Sequence, residues 1–157
     1  MAESIQIDFK ASKKEKYISL IPQIKALIEG EHQLISKLAN IAAALKESFD
    51  FFWVGFYLYQ NKKLHLGPFQ GPVACMQIEI GSGVCGKSFE LQESIIVKDV
   101  NQYTDHIACN TNSKSELVIP IFVQNKIIGV LDIDSDKLDD FDTTDEKYLK
   151  SILQLID

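Results

Sequence analysis

Two β-rich stretches that double back on themselves constrain the fold of this chain more than any other feature. Phe51 to Gln60 is dense in aromatic and β-branched residues, meets Asn61-Lys62-Lys63 and continues extended through Phe69. Glu116 to Gln124 meets Asn125-Lys126 and continues through Ile127 to Asp134 in the same manner. Antiparallel hairpins of this kind bury one face and need helices to cover it. The helices are legible too. Tyr17, Leu20, Ile21, Ile24, Leu27 and Ile28 keep helical spacing over Lys13–Glu29, with Pro22 expected to kink the segment or begin a second helix, and Gly30 to end it. Leu34, Ile35, Leu38, Ile41, Ala42 and Leu45 form one stripe over Glu31–Ser48. A capping box at Thr143-x-x-Glu146 announces a last helix bearing Leu149, Ile152, Leu153 and Ile156. Between the hairpins, Ala74–Ile80 and Ser94–Lys98 read as short strands and Gly86–Leu91 as a short helix, after a break at Gly67, Pro68, Gly71 and Pro72. The order predicts an α+β domain, a central antiparallel sheet with helices packed on one face. It is expected to span residues 13–157 behind a loosely held arm at 1–12.

A length of 157 residues suits one core. A net charge of −6 repels nucleic acid and anionic membrane surfaces. No apolar run is long enough to span a bilayer, and the amino terminus lacks the hydrophobic segment of a secretory signal, so a cytoplasmic setting is expected. All 16 basic residues are lysines. Without arginine's planar fork, an anionic ligand must be held by lysine or by backbone N–H groups.

Gly81-Ser-Gly-Val-Cys-Gly86-Lys87-Ser88 satisfies the phosphate-loop pattern, and Ile127–Asp132 imitates the strand that would supply a magnesium-binding aspartate. That chemistry requires a parallel sheet with full crossover helices, which the remaining chain is too short to provide. Asp132-Ile-Asp134-Ser-Asp136 opens like a calcium loop but has Lys137 at the turn glycine and Thr143 at the bidentate glutamate. A period of two nonetheless puts Asp132 and Asp134 on one strand face, either as a solvated strand end or as a pair binding a cation or sharing a proton. Trp53, Gly55 and Tyr57 also share a face, an aromatic wall with a gap at the glycine, whereas Phe51, Phe52 and Phe56 read as core.

Cys75, Cys85 and Cys109 contain no C-x-x-C pair, leaving packing, metal ligation with His106 or His65, or reactivity. Cys85 in a glycine-rich loop and Cys109 in the irregular 99–115 stretch favour exposure and reactivity. The helix after Cys85 would favour its thiolate. His106 reads as a solvated loop histidine.

Together these segments resemble the GAF domain and, within it, the free methionine-(R)-sulfoxide reductases. The similarity rests on Trp53-Val-Gly-Phe-Tyr57, Gly67-Pro-Phe-Gln-Gly-Pro-Val-Ala-Cys75, Gly81-Ser-Gly-Val-Cys-Gly86, Asp105-His-Ile-Ala-Cys109, Ser115-Glu-Leu-Val-Ile-Pro120 and Gly129-Val-Leu-Asp-Ile-Asp-Ser135, within a match running from about Ala39 to the final helix. The resemblance implies Cys109 as nucleophile, Cys75 as principal resolving thiol and Cys85 as an auxiliary thiol. It also implies Glu116, Asp132 and Asp134 as substrate-binding carboxylates, with Trp53 and Tyr57 as the aromatic pocket. The expected activity is reduction of free L-methionine (R)-sulfoxide through a cysteine sulfenic acid and an intramolecular disulfide that thioredoxin reopens. No bound cofactor or metal is expected, and relatives suggest a homodimer. The rivals are a GAF-type sensor, which would be expected to carry an output domain, and a phosphate-loop hydrolase that would depend on Lys87.

Overall fold

Both hairpins form where the residue alternation puts them, in a computed structural model that describes residues 4–157. The first joins β1 (Trp53–Gln60) to β2 (Lys63–Gln70), the second β5 (Ser115–Val123) to β6 (Lys126–Ser135). Each turn is two residues with positive φ, Asn61 and Lys62 in one and Gln124 and Asn125 in the other. That is the turn geometry whose twist matches the flanking strands. The second turn therefore lies one residue earlier than expected. β3 (Gln77–Glu79) and β4 (Ile95–Val97) complete an antiparallel sheet ordered β3-β2-β1-β6-β5-β4. Gly67 and Pro68 do not end β2; a register shift between Gly55 and Tyr57 absorbs the irregularity and the strand continues to Gln70.

α1 (Lys13–Ile28), α2 (Leu34–Phe49) and α4 (Thr143–Leu153) cover one face, as the layer pattern predicts. Tyr17, Leu20, Ile24, Leu38, Ile41, Leu45, Leu149 and Ile152 there meet Val54, Phe56, Leu117, Ile119, Leu131 and Ile133. α1 runs unbroken through Pro22. The ring deprives the Ile18 carbonyl of its amide partner, and Ile18 is exposed, so water can serve that oxygen instead. The α4 cap is Asp142 with Asp145, one residue before the expected box, because Asp142 accepts from the backbone of Thr144 and Asp145. In the arm, Ile5 and Ile7 pack against the core and the Gln6 backbone N–H donates to Gln23 Oε1 at 2.8 Å. Residues 1–3 of that arm lie outside the described residues.

α3 (Gly83–Leu91) lies on the opposite face and starts three residues earlier than expected. Its Val84, Cys85 and Phe89 pack with Trp53, Tyr57, Val118 and Val130. The close approach depends on Gly86, where a Cβ would stand 2.2 Å from the Glu79 carbonyl oxygen. The glycines that imitate a phosphate loop thus serve helix-to-strand contact. β3 is an antiparallel strand of three residues, and Lys87 pairs with Glu90 at 2.6 Å on the surface. Among the described residues no helix is long and apolar enough to cross a membrane.

Candidate active site

Strand register assembles the site. Trp53 on β1 lies opposite Asp134 on β6, which lies opposite Glu116 on β5; in the next row Gly55 faces Asp132 and Asp132 faces Val118. Directly opposed residues share a face, so one register puts three carboxylates and the aromatic residues beneath α3. Leu131 and Ile133 point to the opposite, helix-covered core. Asp132 is only 7% exposed and Glu116 5%, so the acids are no solvated strand end.

The gap expected at Gly55 is closed. A Cβ there would stand 2.5 Å from the Trp53 ring and 2.4 Å from Phe69 Cβ, so the indole itself lies over the glycine. Trp53 stacks on Phe69 at 5.3 Å and on Tyr57 at 6.0 Å, and its Nε1 donates to the Pro72 carbonyl at 3.0 Å. The Tyr57 hydroxyl donates to the Cys75 carbonyl at 2.9 Å. Both aromatic polar groups thereby tie down the loop that carries Cys75.

Cys75 and Cys109, 34 residues apart, form a disulfide with their Cα atoms 5.3 Å apart. Beneath it, Phe52, Trp53, Cys85, Glu116, Asp132 and Asp134 line a cavity of about 40 Å³ that Cys109 also borders. At about 10–15 Å³ for each water, that space holds a few waters in the bridged state.

Burial is the largest influence on all three acids. It raises Glu116 well above the ordinary carboxylate range, helped by the charge of Asp134. Asp132 is raised by burial and then by Glu116. Asp134 is raised by burial and by Asp132, against a hydrogen bond from the Ser113 hydroxyl. Asp132 Oδ1 is buried without a hydrogen-bond partner. Cys85, Glu116 and Asp132 bring one donor atom each within 4.8 Å of one another, which suits a small cation or an ammonium group.

The surroundings of Cys85 oppose the thiolate expected there. Cys85 lies inside the first turn of α3, is 4% exposed, and burial followed by Asp132 and Glu116 pushes its thiol well up. A helix terminus contributes about 0.3–1 kcal/mol, less than full burial beside two acids removes. His106 is likewise no solvated residue: its Nε2 lies 3.2 Å from Glu116 Oε2. Burial lowers the histidine and raises the glutamate, which disfavours a fully charged pair there. Sequence reasoning read Phe52 as core and His106 as solvated, although His106 lies three residues before Cys109, and it missed Ser113, which carried no signal.

The raised acids predict how stability responds to pH. A carboxyl with a folded-state pKa above its unfolded one contributes stability that is full below the ordinary carboxylate range and is lost as pH climbs through the raised value. Asp132→Asn is therefore expected to raise the melting temperature at pH 8 by a few degrees, on the order of 1 kcal/mol, and to raise it less at pH 4. Thermal unfolding at the two pH values checks this, and an equal shift at both removes the electrostatic cause.

A family model described as the GAF domain matches residues 29–157. The chain is 54% identical over 158 residues to GAF domain-containing protein A of Dictyostelium discoideum, spanning 100% of this chain and 99% of that protein. It is 43% identical over 143 residues to the free methionine-R-sulfoxide reductase of Escherichia coli, spanning 90% of this chain and 87% of that one. The X-ray structure of free methionine-R-sulfoxide reductase from Neisseria meningitidis in complex with its substrate matches with a TM-score of 0.92 at 44% identity, over 98% of this chain and 93% of that chain. A chain matched to that extent, with one curled antiparallel sheet and an α3-covered site, belongs to the GAF domain family and, within it, to the free methionine-R-sulfoxide reductases.

Proposed function

We propose that this oxidoreductase reduces free L-methionine (R)-sulfoxide to methionine with its own thiols. The observation that carries the reading is a Cys75–Cys109 pair set over a cavity of buried acids and indole. The substrate presents an ammonium, a carboxylate, a polar S=O and a methyl group. Asp132 and Asp134 suit the ammonium, and Trp53 the methyl. The carboxylate needs N–H donors because the chain has no arginine. Ser82 puts no side chain over the α3 terminus, so the first-turn N–H groups around Gly83 and Val84, which line the cavity, are free for it.

In the reduced protein the Cys109 thiolate attacks the sulfoxide sulfur. The protonated carboxyl of Glu116 gives its proton to the departing oxygen, a role its raised pKa permits at neutral pH. Water completes the step, releasing methionine and leaving Cys109 as a sulfenic acid. The Cys75 thiol attacks that sulfur, water leaves and the disulfide forms. Thioredoxin then returns both thiols by exchange and becomes oxidised itself. The electrons pass between sulfur atoms throughout, so the cycle calls for no bound flavin, nicotinamide or metal and suits a thiol-reducing compartment such as the cytoplasm.

Supply of thioredoxin, its reductase and NADPH is expected to give NADPH oxidation with free methionine (R)-sulfoxide and not with the (S) epimer or peptide-bound sulfoxide. Consumption with the peptide-bound form alone would overturn the substrate.

A further inference from the structure

The two most exposed large apolar side chains among the described residues are Val73, at 86%, and Met76, at 77%. They bracket Cys75, while Ile107, exposed at 39%, precedes Cys109 by two residues. Such clustering around one partly exposed bond marks an interaction surface rather than scattered surface apolarity. The segment is also held outward. The Tyr57 hydroxyl binds the Cys75 carbonyl, and the Leu66 N–H donates to the Met76 carbonyl at 3.0 Å. With the Trp53 indole on the Pro72 carbonyl, the backbone is anchored on both sides of Cys75, and Val73 and Met76 stay exposed. The two sulfurs differ as well, since Cys109 borders the cavity and Cys75 does not.

We propose that Val73, Met76 and Ile107 form the docking collar for the dithiol protein that reopens the disulfide, and that its thiolate attacks the sulfur of Cys75. This rests on the reductase reading above. The incoming thiolate forms a mixed disulfide with Cys75, the Cys75–Cys109 bond breaks, and Cys109 leaves as a thiolate facing the cavity. The second thiol of the reductant attacks its own bridged sulfur, closing its disulfide and freeing Cys75. Two electrons and two protons pass from the reductant to this chain. The geometry returns the nucleophile, rather than the resolving thiol, to the substrate side first.

Met76 is the discriminating position, because Val73 and Ile107 also line the cavity and Ile107 packs over Gly83. Met76→Asp is expected to raise the KM for thioredoxin about tenfold, the loss of a contact of one buried methionine side chain. Met76→Leu should restore it, with the KM for methionine sulfoxide and turnover on dithiothreitol unchanged in both. Thioredoxin lacking its second active cysteine should be trapped on Cys75, as read by peptide mass spectrometry. An unchanged thioredoxin KM, an adduct on Cys109, or a Met76→Asp protein that merely changes its oligomeric state would overturn the docking surface. Absence of turnover in the unaltered protein even with dithiothreitol would instead bring down the reductase reading on which it stands.

Discussion

Replacing Cys109 by serine is expected to abolish sulfoxide reduction, by at least about three orders of magnitude, since a hydroxyl at neutral pH offers no nucleophile comparable to a thiolate. Cys75→Ser is expected to behave differently. It should release one methionine per chain in a rapid phase and then stall with Cys109 as sulfenic acid, because the thiol 34 residues away that condenses with it is missing. Quenched amino-acid analysis counts the methionine, and a sulfenic-acid reagent followed by mass spectrometry locates the oxidised residue. Cys85→Ser should stay within about tenfold of the unaltered protein, since a thiol buried against two acids has little thiolate to offer. Sustained turnover by Cys109→Ser, or a stalled intermediate on Cys85, would end the assignment.

The second large effect concerns the acids. Glu116→Gln preserves shape but has no proton to give to the departing oxygen, and a loss of about 10²–10⁴-fold in kcat/KM is expected. The pH profile gives the sign. Glu116 acts protonated, so activity should fall as pH rises through its elevated pKa. Glu116→Gln should therefore lose rate and also lose the alkaline limb that reports Glu116. A variant with unchanged rate and profile would return the proton transfer to water or to Asp132. The stability gained in Asp132→Asn belongs to the same physics, because burial of an unpaired carboxyl oxygen is tolerated where a ligand is to be bound.

Much of the architecture was legible in advance because it depends on short-range regularities. Alternation over 51–69 and 116–134 produced the hairpins, and 3.6-residue stripes produced α1, α2 and α4. Errors fell where long-range contact decides the outcome. Gly81–Gly86 reads as loop chemistry, but Gly86 is there to let α3 touch the Glu79 backbone, a contact invisible from spacing. Gly67 and Pro68 look like terminators, yet a bulge carries β2 past them.

The chain's own residue order determined that Asp132 and Asp134 share a face, that three thiols occupy separate segments, and that no arginine can hold an anion, since these follow from period and composition. Only the tertiary structure decided that Glu116 joins the two aspartates across the β5–β6 register and that Cys75 reaches Cys109 over 34 residues. It also decided that Cys85 is buried thiol rather than exposed thiolate. The reason is physical: reactivity here depends on how far water is excluded, and exclusion arises when α3 closes over the sheet, not from any local pattern.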